Sequence, residues 1–238
     1  MKSILKIDLH LHTGEDPKDR YIPYSARELL RKASEYKFDA IAIANHTEVL
    51  YTDALRDYAE QLGIVLIPGV EACVEGKHVV LVNCRQHQQY RRALTFQTLR
   101  AYAGQETLII APHPFYPKSY CLHEKLEQHI EVFDAIEYSH LHFRLVNFNK
   151  KAVALTEKYH LPLVGTSDAH HMSQFGTTYS LVKAEKTIPA ILEAIKRKQV
   201  QVVTAPLSQW ILFRRGQQFL FDLVKKKLFP DSQSDECG

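Results

Sequence analysis

The sequence predicts an α/β protein whose parallel sheet closes, or nearly closes, into a barrel. Seven short apolar segments have the length and the flanking residues of buried strands, and helical patterns separate most of them. Strands that alternate with helices in this way usually pair in parallel. The chain has 238 residues, a length at which an α/β barrel forms one undivided domain.

The predicted elements follow one another along most of the chain. Strands are expected at residues 4–10, 40–44, 65–70, 79–83, 107–111, 133–137 and 163–165. Helices are expected at residues 26–36, 53–62, 89–102, 122–129, 146–159 and 189–198. Ser25 and Glu28 have the spacing of a capping box for the first helix, and Gly63 stands where the second should stop.

Residues of metal-binding type follow the predicted strands at the point where each strand ends. His10 and His12 are two residues apart on the first strand, so both side chains project to the same face. Later strand ends contribute His46, Glu71, His113, Asp168 and His170. Functional residues of α/β barrels gather at the carboxyl ends of the strands. So many imidazoles at one end of a barrel are not needed for the stability of the fold, so the set predicts a polynuclear metal site.

The ligand types and the composition narrow the class of protein. Histidine with Asp and Glu suits zinc, manganese or iron, and such sites serve hydrolytic chemistry. The four cysteines are widely spaced without a CxxC pair, which predicts neither a disulfide framework nor a thiolate zinc site, and we expect a cytoplasmic protein. We expect no signal peptide and no membrane span, because the chain opens directly into a strand pattern and has no apolar run of about 20 residues. The net charge of +3 does not demand a nucleic-acid partner.

A change in pattern near residue 206 divides the chain. We assign residues 1–205 to the barrel domain and residues 206–238 to a C-terminal helical tail. Trp210, Phe213, Leu220 and Val224 recur at roughly helical spacing and are followed by three lysines. A basic amphipathic helix can lie on a membrane surface, but we favour a helix that packs on the barrel. Residues 231–238 are expected to be disordered.

Five ordered motifs together resemble the PHP (polymerase and histidinol phosphatase) family of metal-dependent phosphoesterases. They are DLHLHT at 8–13, ANH at 44–46, PGVE at 68–71, APHP at 111–114 and TSDAH at 166–170. The resemblance covers about residues 5–200. It implies a distorted seven-stranded (β/α)7 TIM-like barrel, in agreement with the seven predicted strands. It also implies two or three divalent ions at the barrel mouth and the cleavage of phosphoester bonds.

The resemblance also implies a set of ligands. His10, His12, Glu71 and Asp168 would hold the first ion; Glu71, His78 and His113 the second; and His46 and His170 the third, together with an acidic residue from the loop after the first strand. Glu15, Asp16 and Asp19 compete for that last place, and we choose Asp16 on its offset from His10. His78 is unexpected in this set, because it opens the fourth predicted strand rather than closing it.

The chain departs from the family pattern at one position. Asn45 stands where the family usually has an aspartate that supports the neighbouring histidine, here His46. An amide accepts a hydrogen bond from an imidazole but lacks the charge that raises ligand basicity, so either the third ion would bind more weakly or the site would hold only two ions. Asp8 is interpreted as a support for the ligands rather than as a ligand.

The predicted function is the hydrolysis of a small phosphorylated metabolite or nucleotide by a metal-activated hydroxide. Asp168 is the candidate catalytic residue, and either Asp168 or a nearby histidine would shuttle the proton. Candidate cations and donors for the substrate are Arg20, Lys118, His140, His142 and Arg144. No long nucleic acid is expected as a partner, because the chain has no basic, aromatic-rich stripe. Two alternatives stay open: an amidohydrolase-like C–N hydrolase and a non-catalytic metal-dependent binding module.

Overall fold

A computed structural model describes residues 2–85, 94–140, 142 and 146–205. The strands within these ranges are β1 (Ser3–Leu11), β2 (Ala40–Ile43), β3 (Val65–Val74), β4 (Lys77–Val82), β5 (Leu108–Ala111), β6 (Ala135–Ser139), β7 (Leu163–Thr166), β8 (Thr178–Ala184) and β9 (Val200–Thr204). The helices are α1 (Ala26–Glu35), α2 (Asp53–Gln61), α3 (Phe96–Ala103), α4 (Glu124–Gln128), α5 (Lys150–Tyr159) and α6 (Ile188–Lys196). The predicted tail, residues 206–238, lies outside the described residues.

The strands form one sheet in the order β7-β6-β5-β4-β3-β2-β1-β8-β9. Strands β1 to β3 are parallel, as are β5 to β7, whereas β4 and β8 run antiparallel to both neighbours. The prediction of an α/β barrel-like fold is confirmed, but the count of seven strands is wrong, since the described residues contain nine. β8 and β9 were not predicted, because the strand predictions rest on continuous apolar runs, whereas β8 alternates buried with more exposed residues.

A tight hairpin joins β3 to β4. Glu75 and Gly76 form the connection, and both have positive φ (49° and 77°), as a two-residue hairpin turn of type I′ requires. Because the hairpin reverses the chain, β4 begins at the end of the barrel where the parallel strands finish. We call that end the mouth and the opposite end the base.

The sheet nearly closes on itself where β7 approaches β8 and β9. The Gly165 amide donates to Ser180 Oγ at 2.8 Å, and the same hydroxyl donates to the Gly165 carbonyl at 3.0 Å. A Cβ at Gly165 would lie 2.6 Å from the carbonyl oxygen of Tyr179 and 2.9 Å from Val202 Cγ1. A serine side chain therefore completes the barrel in place of a backbone ladder, and only glycine permits the approach.

Helix α6 lies across the base of the barrel. Its apolar face joins a buried cluster that includes residues from eight strands, among them Leu9, Val80 and Val164. Lys196 Nζ lies 3.4 Å from the carbonyl oxygen of Gln105, which precedes β5. The interior is therefore packed with side chains and closed below, which leaves the mouth as the accessible end.

The other helices cover the outside of the sheet. Ser25 and Glu28 form the predicted capping box at the start of α1. α5 begins at Lys150 rather than at 146, because the side chain of Asn149 bonds both backbone groups of Ser139 at 2.9 Å. α3 begins at Phe96, and residues 89–93 of the helix predicted there lie outside the described residues. Among the described helices, none is long and apolar enough to cross a membrane.

Candidate metal centre

The mouth of the barrel collects imidazoles and carboxylates from six strands and the loops beside them. His10 and His12 lie at or just beyond the end of β1, Glu71 lies on β3 and His78 near the start of β4. His46, His113, Asp168 and His170 follow β2, β5 and β7. His78 belongs at the mouth although it opens its strand, because β4 runs antiparallel to its neighbours. The structure thus brings together eight of the nine ligands that the sequence predicted.

These residues form four overlapping groups in which one ligand atom from each member lies within 4.8 Å of the others. The groups are His12–Asp19–His46–His170, His10–Glu71–His113, His10–His12–Asp168 and His46–Glu71–His78. Each of His10, His12, His46 and Glu71 belongs to two groups. The arrangement therefore has the shared ligands expected of a polynuclear site.

Glu71 occupies the centre of the arrangement. Its Oε1 lies 2.9 Å from His78 Nδ1 and 3.0 Å from His113 Nε2. Its Oε2 lies 3.0 Å from His46 Nδ1 and 3.5 Å from His10 Nε2. His12 Nε2 also lies 3.6 Å from Oε2, so the two oxygens of one buried carboxylate face different sets of histidines, as a bridging ligand requires.

Asp168 lies on the loop after β7, where it faces the histidines of β1. Its Oδ1 lies 3.3 Å from His12 Nε2 and 3.6 Å from His10 Nε2. The Tyr24 hydroxyl donates to the carbonyl of Ala169 at 2.7 Å and anchors the loop. Asp168 itself has a φ of 44°, which turns the chain so that its carboxylate reaches the mouth.

The loop after β1 presents Asp19 rather than Asp16 to the cluster, which corrects our choice. Asp19 Oδ2 lies 3.3 Å from His12 Nδ1 and 3.4 Å from His46 Nε2. The oxygens of Asp16 instead accept hydrogen bonds from the backbone amides of Lys18, His46 and Thr47 and from the Thr47 hydroxyl. The Asp-Pro pair at 16–17 signals such a turn, in which an aspartate bonds its own backbone two residues on.

The third competitor, Glu15, points to helix α1, where it accepts from the Ala26 amide at 2.9 Å. Asp19 is therefore the loop carboxylate that fits a ligand role. We replace Asp16 by Asp19 in the candidate set.

Asp8 and Asn45 tie the ligand-bearing loops together through the backbone. Asp8 accepts from the His10 amide at 3.3 Å and from the amide and hydroxyl of Ser167 at 3.2 and 2.5 Å. Asn45 accepts from the Thr13 amide at 3.0 Å and donates to the Thr13 hydroxyl at 3.1 Å. The hydrogen bonds described for Asn45 go to Thr13 and none goes to the His46 imidazole, and the weaker third ion stays a prediction.

Two further residues missed in the sequence contact the ligands. Glu137 on β6 is fully buried and lies 2.8 Å from His10 Nδ1. Gln174 accepts from the backbone amides of His170 and His171 at 2.9 and 2.7 Å, which holds the loop after β7. Glu137 had a signal in the sequence, because it is a carboxylate on an apolar strand close to the predicted mouth.

The candidate substrate-binding residues differ in their exposure to solvent. Arg20 and Lys118 are exposed. His140 and His142 are 1% and 4% exposed, and their contact with a phosphate stays a prediction. Arg144 lies outside the described residues.

The pKa values of the buried groups reflect carboxylates packed against imidazoles. Burial disfavours the charged form of His10, yet Glu71 and Asp168 raise its pKa well above the usual range. Burial likewise opposes protonation of His12, but Asp168 and Asp19 raise its pKa to about 9. The neighbouring imidazoles hold the pKa of Glu71 and that of Asp168 well below their usual range, although burial acts in the opposite direction. The carboxylates therefore remain anions, which is the form that binds metal ions.

The histidines nearer the opening behave differently. Burial lowers the pKa of His78, although Glu71 acts against it. Burial also lowers the pKa of His170, and nearby His12 adds to the effect. Both imidazoles are therefore neutral near pH 7, which is the form that binds metal ions.

The polar atoms left without hydrogen bonds fit a metal centre. Among the described buried atoms, those without a hydrogen-bond partner include His10 Nε2, His12 Nδ1 and Nε2, Asp19 Oδ2, His78 Nδ1 and Asp168 Oδ1. Buried polar groups are nearly always hydrogen-bonded, so a cluster of exceptions needs another partner. Imidazole nitrogens and carboxylate oxygens are compatible with divalent metal ions, so the residues present fit the group that the sequence predicted.

Comparisons with known proteins agree with this fold. A sequence family described as PHP-associated matches residues 146–200. None of the curated proteins matches the chain significantly. A two-domain Bacteroides vulgatus protein, described as containing a predicted PHP-like metal-dependent phosphoesterase, has a TM-score of 0.67 and 21% identity. That match covers 85% of this chain and 65% of the other, so the chain spans slightly less than two thirds of that protein.

Two other solved structures share the fold at lower identity. PsfC from Pseudomonas syringae has a TM-score of 0.61 and 19% identity over 85% of this chain and 92% of its own. An amidohydrolase from Chromobacterium violaceum, with bound sulfate and no metal, has a TM-score of 0.57 and 13% identity over 82% and 97%. The partial family match and the shared fold agree with the resemblance of the five motifs to the PHP family.

Proposed function

We propose that this protein is a metal-dependent phosphoesterase that hydrolyses a small phosphorylated metabolite or nucleotide at the barrel mouth. The observation that carries the proposal is the position of Glu71, whose two oxygens face different sets of histidines at 2.9–3.0 Å and 3.0–3.6 Å. In the described part of the chain, all ion-pair partners of Glu71 are histidines. A bridging carboxylate suits two ions close together, which is the arrangement of many phosphoester hydrolases.

The geometry supports up to three positions for zinc, manganese or iron. The first position would use His10, His12 and Asp168, and the second would use Glu71, His78 and His113. The third would use Asp19, His46 and His170. Glu71 would be shared between the first and the second position. In this assignment Glu71 also belongs to the first set, because its Oε2 lies 3.5 and 3.6 Å from His10 and His12 Nε2, so only the loop ligand differs from the sets that the resemblance implied. Divalent ions bound here would polarise phosphoryl oxygens and make water acidic enough to serve as a nucleophile near pH 7.

The chain's own residues orient the reaction and receive the proton. Asp168 Oδ1 has no hydrogen-bond partner among the described residues, and the loop that carries it is anchored by the Tyr24 hydroxyl. An ionised carboxylate held at the mouth is suited to accept the proton that an attacking water releases. We therefore propose Asp168 as the catalytic residue, with its oxygens shared between ligation and proton transfer.

Phosphate release after reconstitution with manganese or zinc would test the proposal. The panel comprises histidinol phosphate, nucleoside monophosphates, nucleoside 3′,5′-bisphosphates and a short oligonucleotide. His170→Ala removes a candidate ligand, and the matched control is His171→Ala, because the exposed His171 side chain belongs to none of the four groups. We expect selective turnover of one substrate class by the wild type and the control, and its loss in His170→Ala.

A C–N hydrolase is the second candidate, because one structure of similar fold is described as an amidohydrolase. A matching panel of cyclic amides separates the two functions. Hydrolysis of an amide without phosphate release would replace our proposal, and metal binding without any turnover would favour a non-catalytic module.

A further inference from the structure

Glu137 is a buried carboxylate that contacts two candidate metal ligands from behind. It lies on β6 with 0% of its surface exposed, on the side of His10 away from Glu71. Its Oε2 is 2.8 Å from His10 Nδ1, and its Oε1 accepts from the backbone amide of His113 at 3.0 Å. Glu137 belongs to none of the four groups within the described residues.

The contact with His10 decides which nitrogen of that imidazole is free. A carboxylate only accepts hydrogen bonds, so Nδ1 must carry the proton that it donates to Glu137. In the neutral imidazole that binds metal, the other nitrogen, Nε2, then presents its lone pair to the centre, where Glu71 Oε2 and Asp168 Oδ1 lie 3.5 and 3.6 Å away. Neutral imidazole binds a metal through its unprotonated nitrogen, so Glu137 selects the binding tautomer.

The contact with His113 acts on the backbone. His113 follows β5 with a φ of 27°, which is uncommon for a residue with a side chain. The Glu137 bond satisfies the amide at this turn, and the imidazole then reaches Glu71 Oε1 with Nε2 at 3.0 Å. One carboxylate therefore sets the orientation of two ligands that come from different strands.

We propose that Glu137 is a positioning residue that holds His10 in its metal-binding tautomer and fixes the turn that aims His113. The inference rests on the proposed metal centre. This positioning role requires two acceptor oxygens on one side chain, since both the His10 ring and the His113 backbone donate an N–H. Glutamine has the same shape but offers one acceptor and one donor, so it satisfies only one of the two contacts.

The test compares Glu137→Gln with the wild type in the full chain. Zinc affinity would be measured by competition with a chromophoric chelator, and zinc content by elemental analysis. We expect the variant to bind zinc roughly 10–100-fold more weakly. In zinc-loaded protein with ¹⁵N-labelled histidine, we expect a downfield Nδ1–H resonance from His10 in the wild type and its loss or upfield shift in the variant, a signature that a merely structural role would not move.

Asp134→Asn is the matched control. Asp134 precedes β6 at the base, where its Oδ2 accepts from the Ile109 amide of β5 at 2.8 Å. The substitution makes the same carboxylate-to-amide change between the same two strands, away from the mouth. We expect it to leave zinc affinity and the downfield resonance unchanged.

Several outcomes separate this inference from the proposed function. Unchanged zinc affinity and an unchanged resonance in Glu137→Gln would overturn the role of Glu137. A wild type that binds zinc and shows the resonance, but releases phosphate from no substrate, would overturn the phosphoesterase and leave the role of Glu137 intact. If Glu137→Gln does not fold, Glu137→Asp is the second variant, because it retains both acceptor oxygens on a side chain too short to contact both partners. Zinc affinity equal to the wild type in Glu137→Asp would overturn the role of Glu137.

Discussion

The two ends of the barrel contain similar carboxylates but neutralise them differently. At the base, Asp39 pairs with Lys186 at 2.8 Å and Asp134 pairs with Arg100 at 2.9 Å, and all four side chains are partly exposed. At the mouth, Asp19, Glu71 and Asp168 are buried, and in the described ranges their ion-pair partners are all histidines.

The difference indicates what each end is built for. Lysine and arginine keep their charge at any accessible pH, so the base is balanced permanently by the protein itself. Histidine can be charged or neutral, and in its neutral form it offers a nitrogen lone pair. The mouth therefore holds fixed negative charge together with ligands, an arrangement suited to an exchangeable cation.

Removal of the central carboxylate should have the largest effect. Glu71→Gln keeps the volume but withdraws the charge that faces five imidazoles. We expect metal content to fall and phosphoesterase activity to drop by more than the ~10–100-fold that loss of an outer partner of a ligand costs. Asp39→Asn at the base, measured in the same assays, should leave both unchanged. Wild-type metal content in Glu71→Gln would remove the distinction between the two ends.

Addition of metal should produce the next largest effect. A ligand that binds only the folded state at 100 times its Kd stabilises it by about 2.7 kcal/mol, which corresponds to roughly 5–11 °C in Tm for a chain of this size. The shift in Tm is measured by thermal unfolding of chelator-treated protein, first without metal and then with zinc or manganese added. The shift should shrink in Glu71→Gln and persist in Asp39→Asn. An unchanged wild-type Tm at saturating metal would argue against a site at the mouth.

Disruption of the stronger pair at the base should affect stability alone. Arg100 contacts Asp134 and donates to the Val132 carbonyl at 2.7 Å, with 28% of its side chain exposed. We expect Arg100→Met to lower the free energy of unfolding by about 1–2 kcal/mol, measured by urea denaturation of metal-free protein. Zinc affinity should remain at the wild-type value. A large change in zinc affinity would show that the base and the mouth are coupled.

The weaker pair at the base should have the smallest effect. Lys186 is 39% exposed at its side chain and Asp39 is 28% exposed, so water screens their attraction. Lys186→Met should change the free energy of unfolding by no more than about 1 kcal/mol, and the change should decrease with added salt. A loss that is larger and independent of salt would mean that this pair is more than a surface contact.

Much of the fold was predictable because its signals are local. The seven predicted strands and the capping box at Ser25 depend on residue spacing within a few positions of each other. The two strands that escaped prediction, β8 and β9, pair antiparallel on the far side of β1, and their mixed polarity fits one covered face. The direction of β4 had a signal in the two-residue turn Glu75-Gly76, which separates two strand-like runs.

The candidate site was predictable only in part. The type and order of the ligands follow from the strand ends, so eight of the nine predicted positions meet at the mouth. Asp16 and Asp19 lie three residues apart, and composition cannot tell which carboxylate turns inward. That choice depends on the turn that begins at Asp16, whose oxygens bond the backbone after β2, about 30 residues away.

The sequence by itself determined which strands carry ligands, because side chains two residues apart on a strand must share a face and parallel strands must end together. Only the tertiary structure decided how those ligands are aimed. His10 and Glu137 are 127 residues apart in the chain, and they meet because β1 and β6 belong to the same barrel. Contacts at that distance are set by strand order and barrel closure, which no local pattern encodes.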